Sequence, residues 1–285
     1  MAEYSLFKEH YSQCTLPDKG ASANKSISIA QSNVEEIIGL LKSAVTREIH
    51  PNLFIEYRRI FTLLIRRYFE VIESRRNGLV YSLTDQTRAL FELMLQAFCL
   101  IRSDNPLKIA IDAYNLSALS WYSKRGDLIR AGEIDSDQEN KWTKNKDKIE
   151  TIFKKYKGRR PKFFGDMTVS QVAEMAKLKR QYNLFYGLFS SLTHNEPFAS
   201  EDQGLYIDGE LAMNIIPRKV GVERISGFFS YANEIFLIAS LSCLQSFLNV
   251  NRVDYNRIVA RIRGDFDNCL WGPEIKYLES IGKAM

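Results

Sequence analysis

Apolar residues recur every three or four positions along most of the chain, which is the period of an amphipathic α-helix. The first run covers residues 26–47, with Val34, Ile37, Leu41 and Val45 on its apolar side. The same period predicts further helices over residues 54–73, 83–102, 107–130, 138–156, 169–179, 181–194, 222–248 and 254–267.

Residues that start or stop helices separate these runs. Pro51 suits the first turn of a helix, because the N–H that it lacks is not needed there, and Thr168 can cap the helix that follows it. Residues 205–216 depart from the helical period and predict a β-hairpin around Asp208-Gly209. A tail containing Gly272-Pro273 is expected to follow the last helix.

The fold class predicted by this pattern is all-α, a single helical-bundle-like domain with one small β-hairpin near residues 205–216. Residues 1–25 are expected to form an irregular N-terminal lead-in, and residues 26–285 one helical domain with a basic excursion at 138–166. The chain has 285 residues, of which 45% are hydrophobic, so it can bury a sizeable core. Its 15 glycines and 7 prolines are too few for a β-sandwich or barrel.

The net charge of +5 is concentrated in residues 141–162, which we call the basic segment. It holds ten basic and two acidic residues, a net charge of +8, so the rest of the chain carries −3. Aromatic residues lie between the cations, a mixture that suits phosphate neutralisation and base stacking. The candidate nucleic-acid contacts are Lys144, Lys148, Lys154, Lys155, Arg159, Arg160 and Lys162. The alternative to nucleic-acid binding is that the basic segment is a solvated helix that is merely rich in lysine.

The four cysteines are far apart and the three histidines do not cluster, which predicts a reduced compartment, no metal site and no cofactor. The N-terminus lacks the apolar region of a secretory signal. Residues 227–250 are long enough to span a bilayer, but Asn233 and Glu234 interrupt them, which favours a buried core helix. These features predict a cytoplasmic protein without a membrane anchor, and a homodimer is left open.

Arg88, Glu92 and Gln96, which we call the polar stripe, follow one another at intervals of four residues and so lie along one side of a helix. Apolar residues surround Glu92 in the sequence, and a carboxylate buried among them needs a partner. The stripe is either solvated and structural, or part of a buried polar site.

Residues 182–194 form a second patterned helix, in which Ser190 and His194 are one turn apart. A serine beside a histidine can be an activated nucleophile if a third group orients the histidine. A histidine near the end of a helix is more often a cap, and small residues more often permit close packing. Catalysis, a polar pocket and a cap therefore all remain open for His194.

Three motifs together resemble an uncharacterised all-helical bacterial family, a domain of unknown function. They are Thr87-Arg88-Ala89-Leu90-Phe91-Glu92, then Phe163-Phe164-Gly165-Asp166-Met167-Thr168, and then Tyr182-x-x-x-Tyr186-x-x-x-Ser190-Ser191-x-x-His194. The resemblance covers roughly residues 50–250. It implies an all-helical fold and places Arg88, Glu92, Tyr186, Ser190 and His194 in the shared pattern.

A looser likeness is to HEPN-type helical ribonucleases of toxin and antiphage defence systems. Those enzymes carry an arginine followed four to six residues later by a histidine, a spacing that this chain lacks. Arg180 precedes His194 by fourteen positions, and Arg47 precedes His50 by three. Ribonuclease-like hydrolysis would therefore require Arg88 to reach His194 across the core.

We expect the polar stripe and the Ser190–His194 helix to face each other in one polar pocket. The corresponding function is that of a bacterial RNA- or nucleotide-directed effector of the defence or toxin type. His194 would be the general base or acid, Glu92 would orient it, Arg88 would contact phosphate, and Tyr186 and Ser190 would complete the site. The alternative is a non-catalytic protein-interaction module whose basic segment docks an acidic partner.

Overall fold

The computed structural model describes residues 21–77, 79–132, 151–152, 154–156, 159, 162–186, 204–207, 210–213, 222–266 and 268–284. The described chain is predominantly helical, so the all-α prediction is confirmed. Its helices are α1 (Ala21–Ser43), α2 (Pro51–Arg76), α3 (Val80–Arg102), α4 (Pro106–Arg130), α5 (Val169–Met175), α6 (Lys179–Gln181), α7 (Val222–Phe247), α8 (Arg252–Asp265) and α9 (Asn268–Ala284). A π-helical turn covers Tyr182–Tyr186, and the short strands are β1 (Val45–Thr46), β2 (Gly204–Ile207), β3 (Glu210–Met213) and β4 (Leu248–Asn249).

Helices α2, α3 and α7 pack against one another and form the centre of the molecule. Residues 93–100 of α3 are all buried, as expected for a helix that is apolar on nearly every side. Helices α1 and α4 flank this centre, and α8 and α9 pack as a pair. One hydrophobic core extends from Ile27 in α1 to Leu278 in α9.

Local sequence signals set the start of several helices. Pro51 occupies the first turn of α2, and His50 Nδ1 accepts a hydrogen bond from the Asn52 N–H at 3.2 Å. Thr168 and Gln171 form a reciprocal capping box at the start of α5, as the cap assignment for Thr168 predicts. Asn251 caps α8 by accepting bonds from two backbone N–H groups.

The predicted β-hairpin is confirmed in strands β2 and β3. They pair antiparallel, with Ile207 opposite Glu210, so two residues connect them. The predicted turn residues Asp208 and Gly209 lie outside the described residues. The described pairing runs from Gly204 opposite Met213 to Ile207 opposite Glu210, and residues 214–216 of the predicted hairpin lie outside the described residues.

The predicted bounds of the first helix are wrong at both ends. Helix α1 begins at Ala21, inside the predicted lead-in, and ends at Ser43 rather than at Arg47. The next residues form β1, which pairs antiparallel with β4 after the end of α7. Val45 is therefore 68% exposed instead of contributing to a helical apolar face.

Among the other helix boundaries, the two largest differences from the prediction concern α5 and the C-terminal tail. Helix α5 ends at Met175 because Lys177 adopts a left-handed φ of 55°, and the Leu178 N–H turns back to the Ala173 carbonyl at 2.9 Å. The expected tail is instead helix α9, which contains Pro273. Trp271 of the same helix is fully buried in the core, although the proline removes one backbone hydrogen bond.

Candidate functional site

The polar stripe begins with an ion pair on α3. Arg88 Nε donates to Glu92 Oε1 at 3.0 Å, as the four-residue spacing predicts. The two side chains are only 17% and 25% exposed, so this pair lies partly within the protein. Burial raises the pKa of Glu92, and the ion pair with Arg88 partly offsets that effect.

The stripe ends at a cavity between α2 and α4. Gln96 Oε1 accepts a hydrogen bond from Arg59 Nη2 at 2.7 Å, and Arg59 Nε also donates to the buried Glu56 at 2.9 Å. These three residues line a cavity of about 660 Å³, together with Lys162 and Phe163 of the loop before α5. Along α3, the polar stripe therefore leads from the Arg88–Glu92 pair towards the C-terminal end of the basic segment.

The structure describes the start of the Tyr-Ser-His segment. Phe185 is buried, with its ring centroid 6.2 Å from that of Phe91, which neighbours Glu92 in the sequence. The backbone of Tyr186 ends the π-helical turn. Ser190 and His194 lie outside the described residues, so their predicted meeting with Glu92 stays a prediction.

The π-helical turn is held by aromatic rings from both α7 and α9. Phe185 packs edge to face on Tyr231 at 4.9 Å and stacks on Trp271 at 6.0 Å. The Trp271 indole in turn donates to Glu234 Oε2 at 2.7 Å, so a buried carboxylate lies directly behind this aromatic layer. Glu234 was noticed in the sequence only as an interruption of an apolar run.

Another buried carboxylate, Glu274, was missed by the sequence analysis. It pairs with Arg102 at 3.2 Å and accepts a hydrogen bond from Gln181 at 3.3 Å. Burial raises the pKa of Glu274, and Arg102 opposes that shift. The Arg102 guanidinium also lies 4.5 Å from the centre of the Phe98 ring. No sequence signal identified this pair, because Glu274 was assigned to a tail.

The basic segment is described only in part. Lys154, Lys155 and Lys162 are exposed. Arg159 is held between two aspartates, Asp112 at 2.8 Å and Asp166 at 2.7 Å, so its charge is locally compensated. The candidates Lys144, Lys148 and Arg160 lie outside the described residues.

Tyr156 anchors this segment to α4. Its hydroxyl donates to Asp112 Oδ1 at 2.6 Å, and its ring packs with Leu116 and Leu119 in a small separate apolar cluster. Residues 151–152 and 154–155 are helical and Tyr156 lies in a turn, while residues 138–150 and 153 of the predicted helix lie outside the described residues. The described part of the segment is thus docked on the body of the protein, with its lysines facing solvent.

A family model described as a family of unknown function, DUF5677, matches residues 58–205. The match covers more than half of the chain and includes Arg88, Glu92, Tyr186, Ser190 and His194. The chain belongs to this family. No curated protein and no solved structure matches the chain. The expected membership of an uncharacterised family is thereby confirmed.

Helix α7 of this DUF5677 protein is the one described helix that is long and apolar enough to cross a membrane, over residues 226–247. Its side chains are mostly buried against α2 and α3, as in the core helix that the sequence predicts. Within the described ranges, no group of three or more histidine, cysteine, aspartate or glutamate side chains is arranged to hold a metal ion.

Proposed function

We propose that this DUF5677 protein is an RNA- or nucleotide-directed effector of the defence or toxin type, with its reaction centre beside the Arg88–Glu92 pair. The observation that carries the proposal is the partial burial of this ion pair on α3, next to Phe91, which contacts Phe185 at the start of the segment leading to His194. A partly buried carboxylate–guanidinium pair would supply an orienting acceptor and a phosphate ligand to His194.

RNA is the substrate that these groups suit best. His194 would take the proton of a ribose 2′-hydroxyl, whose oxygen attacks the adjacent phosphorus as the bond to the 5′ oxygen breaks. The leaving 5′ oxygen takes up a proton from water while His194 returns its proton to the solvent, and the products are a 2′,3′-cyclic phosphate end and a 5′-hydroxyl end. Arg88 would stabilise the charge that develops on the phosphate oxygens, with Glu92 fixing the histidine tautomer. This reaction needs no added cofactor or metal.

The exposed lysines would hold the RNA backbone. None of Lys154, Lys155 and Lys162 forms an ion pair with a described carboxylate. Lys162 helps to lower the pKa of Asp166, and Lys155 lies 5.7 Å from the centre of the Tyr156 ring, so the charge of Lys154 is the most available to phosphate. Lys162 also lines the cavity at the Gln96 end of the polar stripe, which supports a path from the basic segment to the proposed centre. Arg159 would contribute less, because two aspartates already bind it.

The test is incubation of the purified protein with end-labelled single-stranded RNA, followed by analysis of the product ends. We expect 2′,3′-cyclic phosphate ends with the parent protein and with the control His50→Asn, which keeps a side-chain acceptor at the start of α2. His194→Ala and Glu92→Gln should lower the cleavage rate by about 10²-fold or more, as for loss of general acid–base catalysis. Unchanged melting temperatures would separate this loss from unfolding.

Replacing Lys154, Lys155 and Lys162 together by serine tests the role of the basic segment. RNA affinity should fall, and the slope of log affinity against log salt should flatten by about 2, at roughly 0.7 per lost phosphate contact on a single strand. Unchanged binding by this variant would remove the basic segment from the proposal.

A non-catalytic interaction module remains the second candidate, since Arg88 and Glu92 already satisfy each other. In that case RNA would not be cleaved, and His194→Ala would change only the stability of the protein.

A further inference from the structure

A polar cleft lies at the opposite end of α3 from Arg88, where the ends of α7 and α9 meet the start of α2. Its volume is about 790 Å³, which is within the range of small-molecule sites. The residues that line it include Tyr57, Gln245 and Tyr277 together with two cations, Arg47 and Arg252. None of these residues belongs to the polar stripe or to the basic segment.

Gln245 is the most informative residue of this cleft. It is only 4% exposed, yet its Oε1 has no hydrogen-bond partner among the described residues. An unsatisfied buried acceptor carries a free-energy cost that lowers the stability of the folded protein. A ligand that donates a hydrogen bond to Gln245 would relieve that cost.

The two arginines supply positive charge to the same cleft. Arg47 is fixed by hydrogen bonds from its Nε to the Leu248 carbonyl at 3.0 Å and to Asn249 Oδ1 at 2.9 Å. Arg252 Nη2 donates to the Lys283 carbonyl at 3.3 Å. Neither arginine forms an ion pair with a described carboxylate, so both keep donors for an anion.

We propose that this cleft binds an organic phosphate monoester. The phosphate lies between Arg47 and Arg252, where charge-assisted hydrogen bonds hold it. The organic part lies between the tyrosine rings. The Gln245 amide, whose Oε1 is enclosed in the unliganded protein, turns towards the cleft and accepts a hydrogen bond from it. The site is independent of the proposed RNA reaction and points to a small-molecule regulator or substrate of this protein.

Titration calorimetry with adenosine 5′-monophosphate and ribose 5-phosphate tests the proposal, with adenosine as the probe that lacks the phosphate. We expect at least one of the two phosphates to bind and adenosine not to bind. Gln245→Met and Arg252→Gln should each weaken that binding about tenfold or more, through a lost hydrogen bond or charge contact. Arg88→Gln should leave it unchanged, which separates this cleft from the proposed RNA centre.

Gln245→Met also distinguishes a binding role from a structural one, because removing an unsatisfied buried acceptor should leave the melting temperature equal or higher. Ser240→Ala is the matched control, since Ser240 is an equally unpartnered buried side chain of α7 that does not line the cleft. It should keep the phosphate affinity. The proposal is overturned if neither phosphate binds at millimolar concentration, or if Gln245→Met binds as tightly as the parent protein.

Discussion

Glu274 is the most deeply buried of the described carboxylates, with 1% of its side chain exposed, and it depends on a cation from a distant part of the chain. We expect Glu274→Ala to lower the free energy of unfolding by about 3–5 kcal/mol, because it leaves Arg102 with an unpaired charge in the interior. Denaturant unfolding measures this change. Glu279→Ala is the control, since its partner Arg263 is largely exposed, and it should cost about 1 kcal/mol or less. Equal losses in the two variants would contradict the account.

The raised pKa of Glu92 predicts a pH dependence with a definite sign. Folding raises the pKa of this carboxyl group above the value of about 4.5 that it has in the unfolded chain. Its contribution to stability is therefore complete when the pH is below the unfolded-state pKa, and it is lost as the pH rises through the folded-state pKa. Glu92→Gln stays neutral throughout, so its stability relative to the parent should improve as pH rises from 4 towards 7.

Asp166→Asn provides a control of opposite sign. The hydrogen bond from Arg159 lowers the pKa of Asp166 below its ordinary value of 3.8, so its contribution is present at higher pH and is lost as pH falls. The stability gap between parent and Asp166→Asn should therefore narrow on acidification. If the free energies of unfolding of the parent protein and of Glu92→Gln change in parallel with pH, the raised pKa of Glu92 is contradicted.

Residue partners could be predicted only where they are close in the sequence. The Arg88–Glu92 pair follows from spacing along one helix, and it is confirmed. The Arg102–Glu274 pair joins residues 172 positions apart, so only the packing of α3 against the C-terminal helices brings it together. The unsatisfied Gln245 likewise has no sequence signature, because its state depends on what surrounds it in space.

At the level of elements, α9 gives the sharpest prediction. Pro273 lies inside this helix, where it removes one backbone hydrogen bond. We expect Pro273→Ala to raise the free energy of unfolding by about 1–3 kcal/mol, measured by denaturant unfolding. Pro51→Ala is the control, because Pro51 occupies the first turn of α2, where a proline costs little. A destabilising Pro273→Ala would show that the ring itself is needed there.

Helix positions were largely predictable from hydrophobic period and caps, while exceptions arose where packing overrode local signals. Gly272 and Pro273 predicted a tail, but the neighbouring Trp271 and Ile275 are buried, and their packing keeps α9 helical. The β1–β4 pairing was missed for a similar reason. Its two strands contain two residues each and are about 200 positions apart, so no local alternation reveals them.

For the whole molecule, the long apolar helices α3 and α7 made the all-α architecture predictable, because only a central position buries them on all sides. The distance between the polar stripe and His194 depends on tertiary packing, which the sequence pattern does not reveal. The structure describes one contact between the two segments, that of the Phe91 ring with the Phe185 ring. The central claim of the account is that Glu92 and His194 meet in one pocket.

Proton NMR titration of the three histidines in the parent protein and in Glu92→Gln tests that claim most directly, with His194→Ala assigning the resonance. A carboxylate within hydrogen-bond or one-water reach should raise the pKa of His194 above the reference of about 6.5, and Glu92→Gln should lower it towards that value while the other two histidines stay unchanged. An identical His194 titration in the parent and in Glu92→Gln would contradict the claim.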